Sequence, residues 1–76
     1  MDKKLQKKIL NHMSQSELGR RLGKKPQTIS IWFKGRVPAE EVLRTSEALC
    51  WKVTPHELRP DLYPNIDDGM PEEMAA

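Results

Sequence analysis

The sequence predicts an all-α fold, a compact bundle of about five short helices. Three observations predict it. Apolar residues recur at three- and four-residue spacing, as in Leu5, Ile9 and Met13 and again in Leu18 and Leu22. Helix-start signals recur along the chain: Ser14 with Glu17, then Pro26, then Pro38, then Thr54 with Pro55 and Glu57. No segment alternates apolar and polar residues over the length of a strand, and there is neither an internal repeat nor a heptad.

Each element follows from local chemistry. Lys3 to Met13 reads as a first helix capped by Asp2, with Leu5, Ile9 and Met13 as its stripe and Leu10 widening it. Lys3, Lys4, Lys7 and Lys8 fall mostly off that stripe, as phosphate neighbours or as a solvated face. Ser14 and Glu17 have capping-box spacing, so a second helix begins at Gln15. Gly23 ends it, where a positive φ is needed and only glycine adopts it cheaply. Gly19 leaves room for a close neighbour. A turn of about three residues, Gly23 to Lys25, leads into a third helix. Pro26 suits its first turn, Lys25 is a poor N-cap, and Gly35 is a natural stop. Ile29 and Trp32 close over Leu18 and Leu22, which leaves Gln27, Thr28, Ser30, Ile31 and Lys34 on the outer face.

Pro38 starts a fourth helix, roughly Ala39 to Cys50, with Ala39, Val42, Leu43, Ser46 and Leu49 facing inward. Glu40 and Glu41 fall at its positive N-terminal end, where helix capping explains them better than acid–base chemistry. Cys50 is expected as small core packing near the end of that helix. Thr54, Pro55 and Glu57 open a short fifth helix, to about Leu58, which docks Leu58 and Val53 on the core. Pro60 stops it, and Leu62 and Tyr63 extend the packing. From Asn65 onward the chain reads as a disordered acidic tail, which divides it into a domain over 1–64 and a tail over 65–76.

Composition narrows the class of partner. The 76 residues hold 13 Lys and Arg against 11 Asp and Glu, a net charge of +2. All 13 basic residues fall in 1–59 with six acids, a local net of +7, while 60–76 hold five acids and no base. A basic domain followed by an acidic segment points to a polyanion partner. There is no run of eighteen apolar residues and no signal-peptide pattern, so neither a membrane span nor secretion is expected. A single cysteine forms no internal disulfide and suits a reducing cytoplasm.

Ser14 to Gly35, SQSELGRRLGKKPQTISIWFKG, is the most informative segment: helix, tight turn, helix. It resembles the helix-turn-helix unit of phage lambda-type repressors and Cro proteins. The likeness runs without gaps from the Ser-Gln opening to the Phe-x-Gly close at Phe33 and Gly35. The continuation from Val37 to Pro64, and the Val-Thr-Pro-His-Glu-Leu-Arg-Pro-Asp run at Val53 to Asp61 above all, is similar to the Cro-like YdaS-type regulators of prophages. The resemblance covers about residues 5 to 64. One departure is Lys24, which stands where such turns often carry an apolar residue.

The resemblance implies a lambda-repressor-like DNA-binding domain whose second motif helix enters the major groove. Its base-facing positions fall here on Pro26, Gln27, Ser30 and Ile31. Gln27 has the chemistry for direct readout, because its amide pairs with N7 and N6–H₂ of one adenine. Ser30 accepts several bases, Ile31 suits a thymine methyl, and Pro26 shapes the start of the helix. Phosphate contacts fall to Gln15, Lys25, Thr28, Lys34 and Arg36, which set the register without reading sequence. Trp32 and Phe33 read as core rather than as stacking platforms for single strands.

Other chemistries fail on spacing. His12, His56 and Cys50 form no metal-ligand motif, and there is no Gly-rich phosphate loop, so no cofactor, metal or catalytic role is expected. The implied function is a sequence-specific repressor, a homodimer on a palindromic double-stranded operator, working on the bacterial nucleoid in the cytoplasm. Two alternatives stay open: an antitoxin-like regulator whose main task is to bind a partner protein, through the acidic tail or the fourth helix, and a transcriptional activator.

Overall fold

Helix boundaries in the computed structural model, which describes residues 1–74, follow the caps closely. Helix α1 spans Lys3–His12, and the Asp2 carboxylate accepts from the Lys4 amide at 3.0 Å. Helix α2 spans Gln15–Leu22, with Ser14 Oγ accepting from the Glu17 N–H at 3.1 Å. Only this half of the expected capping box forms. The Glu17 carboxylate turns instead to Arg20 and to Arg21, whose Nε lies at 2.9 Å. Gly23 takes the left-handed conformation at φ +69°, as a helix stop of this kind needs. Helix α3 spans Pro26–Lys34, and Lys25 caps it without a side-chain hydrogen bond.

The core is one cluster fed by every helix. Ile9 comes from α1, Leu18 and Leu22 from α2, and Ile29, Trp32 and Phe33 from α3. Val37, Val42, Leu49, Val53 and Leu58 complete it from the C-terminal half. Trp32 and Phe33 are therefore interior residues, as their register requires. The radius of gyration, 11.5 Å, matches the value of about 11 Å for a close-packed chain of this length.

The fourth element departs from expectation. Ala39–Glu41 form a 3₁₀ turn, and helix α4 runs on from it over Val42–Ala48. A 3₁₀ turn winds at about three residues per turn and so shifts the phase of the helix it leads into. Glu41, Val42, Thr45, Ser46 and Leu49 face inward in consequence. Leu43, expected inside, is 45% exposed, and Ala39, also expected inside, is exposed. Leu10 of α1 is likewise 45% exposed, because it stands about a hundred degrees round from Ile9. Helix α4 cannot reach Cys50, since Cys50 and Trp51 both adopt left-handed backbone, at φ +54° and +61°. That turn carries Cys50 to the surface rather than into the core.

Helix α5, Pro55–Leu58, carries a complete capping box between Thr54 and Glu57. Lys8 Nζ reaches Glu57 Oε2 at 2.6 Å and ties α1 to α5. Burial pushes the Glu57 carboxyl up, but Lys8 and the Thr54 amide outweigh it and the net shift is downward. The Arg59 guanidinium is bidentate on Asp61, at 2.9 and 2.7 Å, and also donates to the Val37 carbonyl at 2.9 Å.

Beyond Pro64, Asn65–Asp68 form a hydrogen-bonded turn, with the Asn65 N–H donating to Asp68 Oδ2 at 3.0 Å. Gly69, at φ +76°, rests against the body of the domain. A Cβ there would lie 2.9 Å from Leu43, 3.0 Å from Tyr63 and 3.1 Å from Pro55. Glu72–Met74 form a second 3₁₀ turn. The rest of the segment expected as a tail, residues 75 and 76, lies outside the described residues. Among the described residues there is no strand, and no helix is long and apolar enough to cross a membrane.

Candidate nucleic-acid interface

Two helices at a fixed angle need a close approach and a rigid turn. Gly19 supplies the approach, since a Cβ there would stand 2.6 Å from the Lys24 carbonyl oxygen and 3.5 Å from Ile29 Cγ1. The Lys24 N–H donates to the Gly19 carbonyl at 2.7 Å, so the turn is bonded to the helix it leaves. Ile29 and Leu18 are almost wholly buried, at 0% and 1% exposure, which seats α3 on α2.

What remains outside is the outer face of α3. Pro26, Gln27 and Ile31 are exposed, Ile31 to 67%, and Ser30 is half-buried beside them. Ile31 is one of five large apolar side chains left exposed among the described residues, with Leu10, Leu43, Leu62 and Ile66. Around this face, Lys25, Lys34 and Arg36 are exposed, while Gln15 and Thr28 are half-buried at its edges. No carboxylate lies on α3 itself. The structure thus brings all nine candidate residues onto or beside α2, the turn and α3.

One of the flanking groups, Arg36, is less free than sequence suggests. Arg36 Nη1 stands 3.7 Å from Asp61 Oδ2, a carboxylate already held by Arg59. The Arg59 pair, with Arg36 behind it, lowers the Asp61 pKa to about 2, so Asp61 keeps its charge beside the basic face. Arg21 and then Arg20 hold the Glu17 carboxyl below its ordinary range in the same way.

Sequence reasoning missed the supports of this face. The Gln6 amide of α1 donates to the Phe33 carbonyl at 3.0 Å and the Met1 carbonyl at 2.8 Å, and the Met1 ammonium donates to the Gly35 carbonyl. Carbonyls at the C-terminal end of α3 are thereby satisfied from the N-terminal segment. Lys24, the residue that departs from the usual apolar turn position, directs its ammonium to Glu41, with Nζ 3.6 Å from Oε2. Glu41 makes no cap hydrogen bond, contrary to its expected role. The signal for it was present: the stripe Leu49, Ser46, Thr45 and Val42, carried back one turn, lands on Glu41.

A helix of eight residues, a left-handed glycine, a short turn and a helix of nine residues opening on proline define a helix-turn-helix domain in a small helical bundle. The family model for the bacterial toxin YdaS matches residues 5–66, and the chain belongs to that family. No match was found among curated proteins or among solved structures.

Proposed function

We propose that this chain is a binding protein rather than an enzyme: a sequence-specific, Cro-like regulator that represses transcription as a homodimer on a palindromic DNA operator. The observation that carries the reading is the exposed, carboxylate-free outer face of α3, with Gln27 and Ile31 bare and Lys25, Lys34 and Arg36 around it. Gln27 reads an adenine, Ile31 meets a thymine methyl, and the cations hold the phosphates. A single α3 reads too few base pairs for useful specificity. Two copies, with half-sites roughly 34 Å apart, read enough.

Selection of bound duplexes from random DNA with the purified chain tests this. A two-fold symmetric sequence is the expected product. Gln27→Ala then loses discrimination at one base pair of each half-site, by about 1–3 kcal/mol. Lys34→Ala weakens all sequences alike and reduces the salt slope by about one. A uniform loss for Gln27→Ala would place that residue on the backbone instead.

The family description as a toxin favours a second reading, in which binding a partner protein is the main task. The acidic stretch after Pro64, with Asp67, Asp68, Glu72 and Glu73, or the fourth helix is the surface it would use. No enriched sequence in the selection, together with capture of one partner that needs this surface, would favour it.

A further inference from the structure

Glu41 is a carboxylate with only 8% of its surface exposed, beneath the turn of the helix-turn-helix unit. Its Oε2 lies 3.6 Å from Lys24 Nζ and has no hydrogen-bond partner of its own. Its Oε1 faces Arg44 Nη1 at 3.3 Å, and Arg44 Nη2 donates to the Leu22 carbonyl, the last of α2, at 3.2 Å. One buried charge therefore addresses both the turn, through Lys24, and the end of α2, through Arg44. The opposite side of the turn is fixed by Gly19, whose carbonyl accepts the Lys24 N–H.

We propose that Glu41 is a positioning residue for DNA readout, setting the angle at which α3 is presented. The inference rests on the DNA-binding reading above. A carboxylate this deep attracts cations more strongly than one in water, and stranding it is costly. The turn cannot lift from α4 without separating Lys24 from Glu41. Lys24 thus serves the angle of α3.

The test uses the full chain, the duplex obtained by selection, and a random duplex of the same length. For wild type, Glu41→Gln, Lys24→Met and the double variant, two quantities are read well below each melting temperature. One is the ratio of random to selected Kd with its salt slope; the other is amide exchange by residue. Glu41→Gln should lower the ratio by roughly 3- to 30-fold, the range for residues that act through a neighbour. The salt slope should not change, because the phosphate contacts remain. Exchange should quicken at Lys24 and not at Ile9. The double variant should fall little below either single one, as expected for partners. Should Glu41→Gln fail to fold, Lys24→Met, altered at a partly exposed end, carries the same comparison.

An unchanged ratio in a folded variant overturns the proposal. So does a fall in the ratio accompanied by equally faster exchange in every helix, which is loss of stability alone. A wild-type chain that prefers no duplex overturns the DNA reading, and this proposal with it; a wild-type chain that does prefer one isolates the fate of Glu41.

Discussion

Gly19 shows how one atom sets the geometry of the unit. In an open helix, Gly→Ala is worth about 1 kcal/mol of added stability. Here the added Cβ would meet the Lys24 carbonyl at 2.6 Å, and backbone held by its own hydrogen bond cannot move aside. Overpacking of this kind costs about 1–3 kcal/mol, so Gly19→Ala should lower the melting temperature despite its better propensity. Gly23→Ala faces open space and is penalised only by its φ of +69°. Thermal melts of the two variants separate the effects: contact strain at 19, backbone strain at 23. A Gly19→Ala chain as stable as wild type would mean that α2 and the turn are looser than they stand.

Among the elements, α2 and α3 hold each other and little else could replace them. Ile29 and Trp32 are 0% and 6% exposed, and each buried side chain costs about 2–5 kcal/mol when truncated. Ile29→Ala with Trp32→Ala should therefore unfold the domain, seen as loss of helical circular dichroism at room temperature. The helices α1, α2, α3 and α5 were legible in the sequence because their caps are local: Asp2, Ser14, Gly23, Pro26 and Thr54 each act on neighbours. The outer face of α3 was legible for the same reason, being what the Ile29–Trp32 register leaves over. The start of α4 was not. Its phase depends on a 3₁₀ turn, and Glu41 goes inward toward Lys24, a residue of a different element that reaches it only once the chain has folded. Local signals also could not show that Gln6 would serve the far end of α3.

Across the whole molecule, stability against acid and the role of the C-terminal segment can both be tested by melting. The Asp61 pKa is lowered to about 2 by Arg59, and Glu17 and Glu57 are also lowered. Depressed carboxyls stabilise the fold fully above the unfolded value, near 4, and lose that contribution as pH falls toward the folded one. The melting temperature should hold from neutral pH to about 5, then fall steadily between about 4 and 2. Asp61→Asn should start lower and fall less over that interval. An identical slope for wild type and Asp61→Asn would remove the Arg59–Asp61 pair as a source.

The segment after Pro64 combines packing with charge, and two truncations separate them. Gly69 lies against Leu43, Tyr63 and Pro55, so the chain at Gly69 covers apolar surface that would otherwise meet water. Removing residues 65–76 takes away that cover at a cost of roughly 1–2 kcal/mol, at about 25 cal/mol per Å² uncovered. In a domain of this size that lowers the melting temperature by about 4–8 °C for each kcal/mol. Removing only 71–76 leaves Gly69 in place and should leave the melting temperature unchanged. Both truncations remove Glu72 and Glu73, and the longer one also removes Asp67 and Asp68. Both should therefore tighten binding to random DNA at low salt, the longer one more, and the gain should fade as the Debye length falls below about 10 Å. If the longer truncation melts like the full chain, Gly69 rests on the domain without stabilising it. If neither truncation alters binding to random DNA, the acids stand too far from the basic face to compete with phosphate.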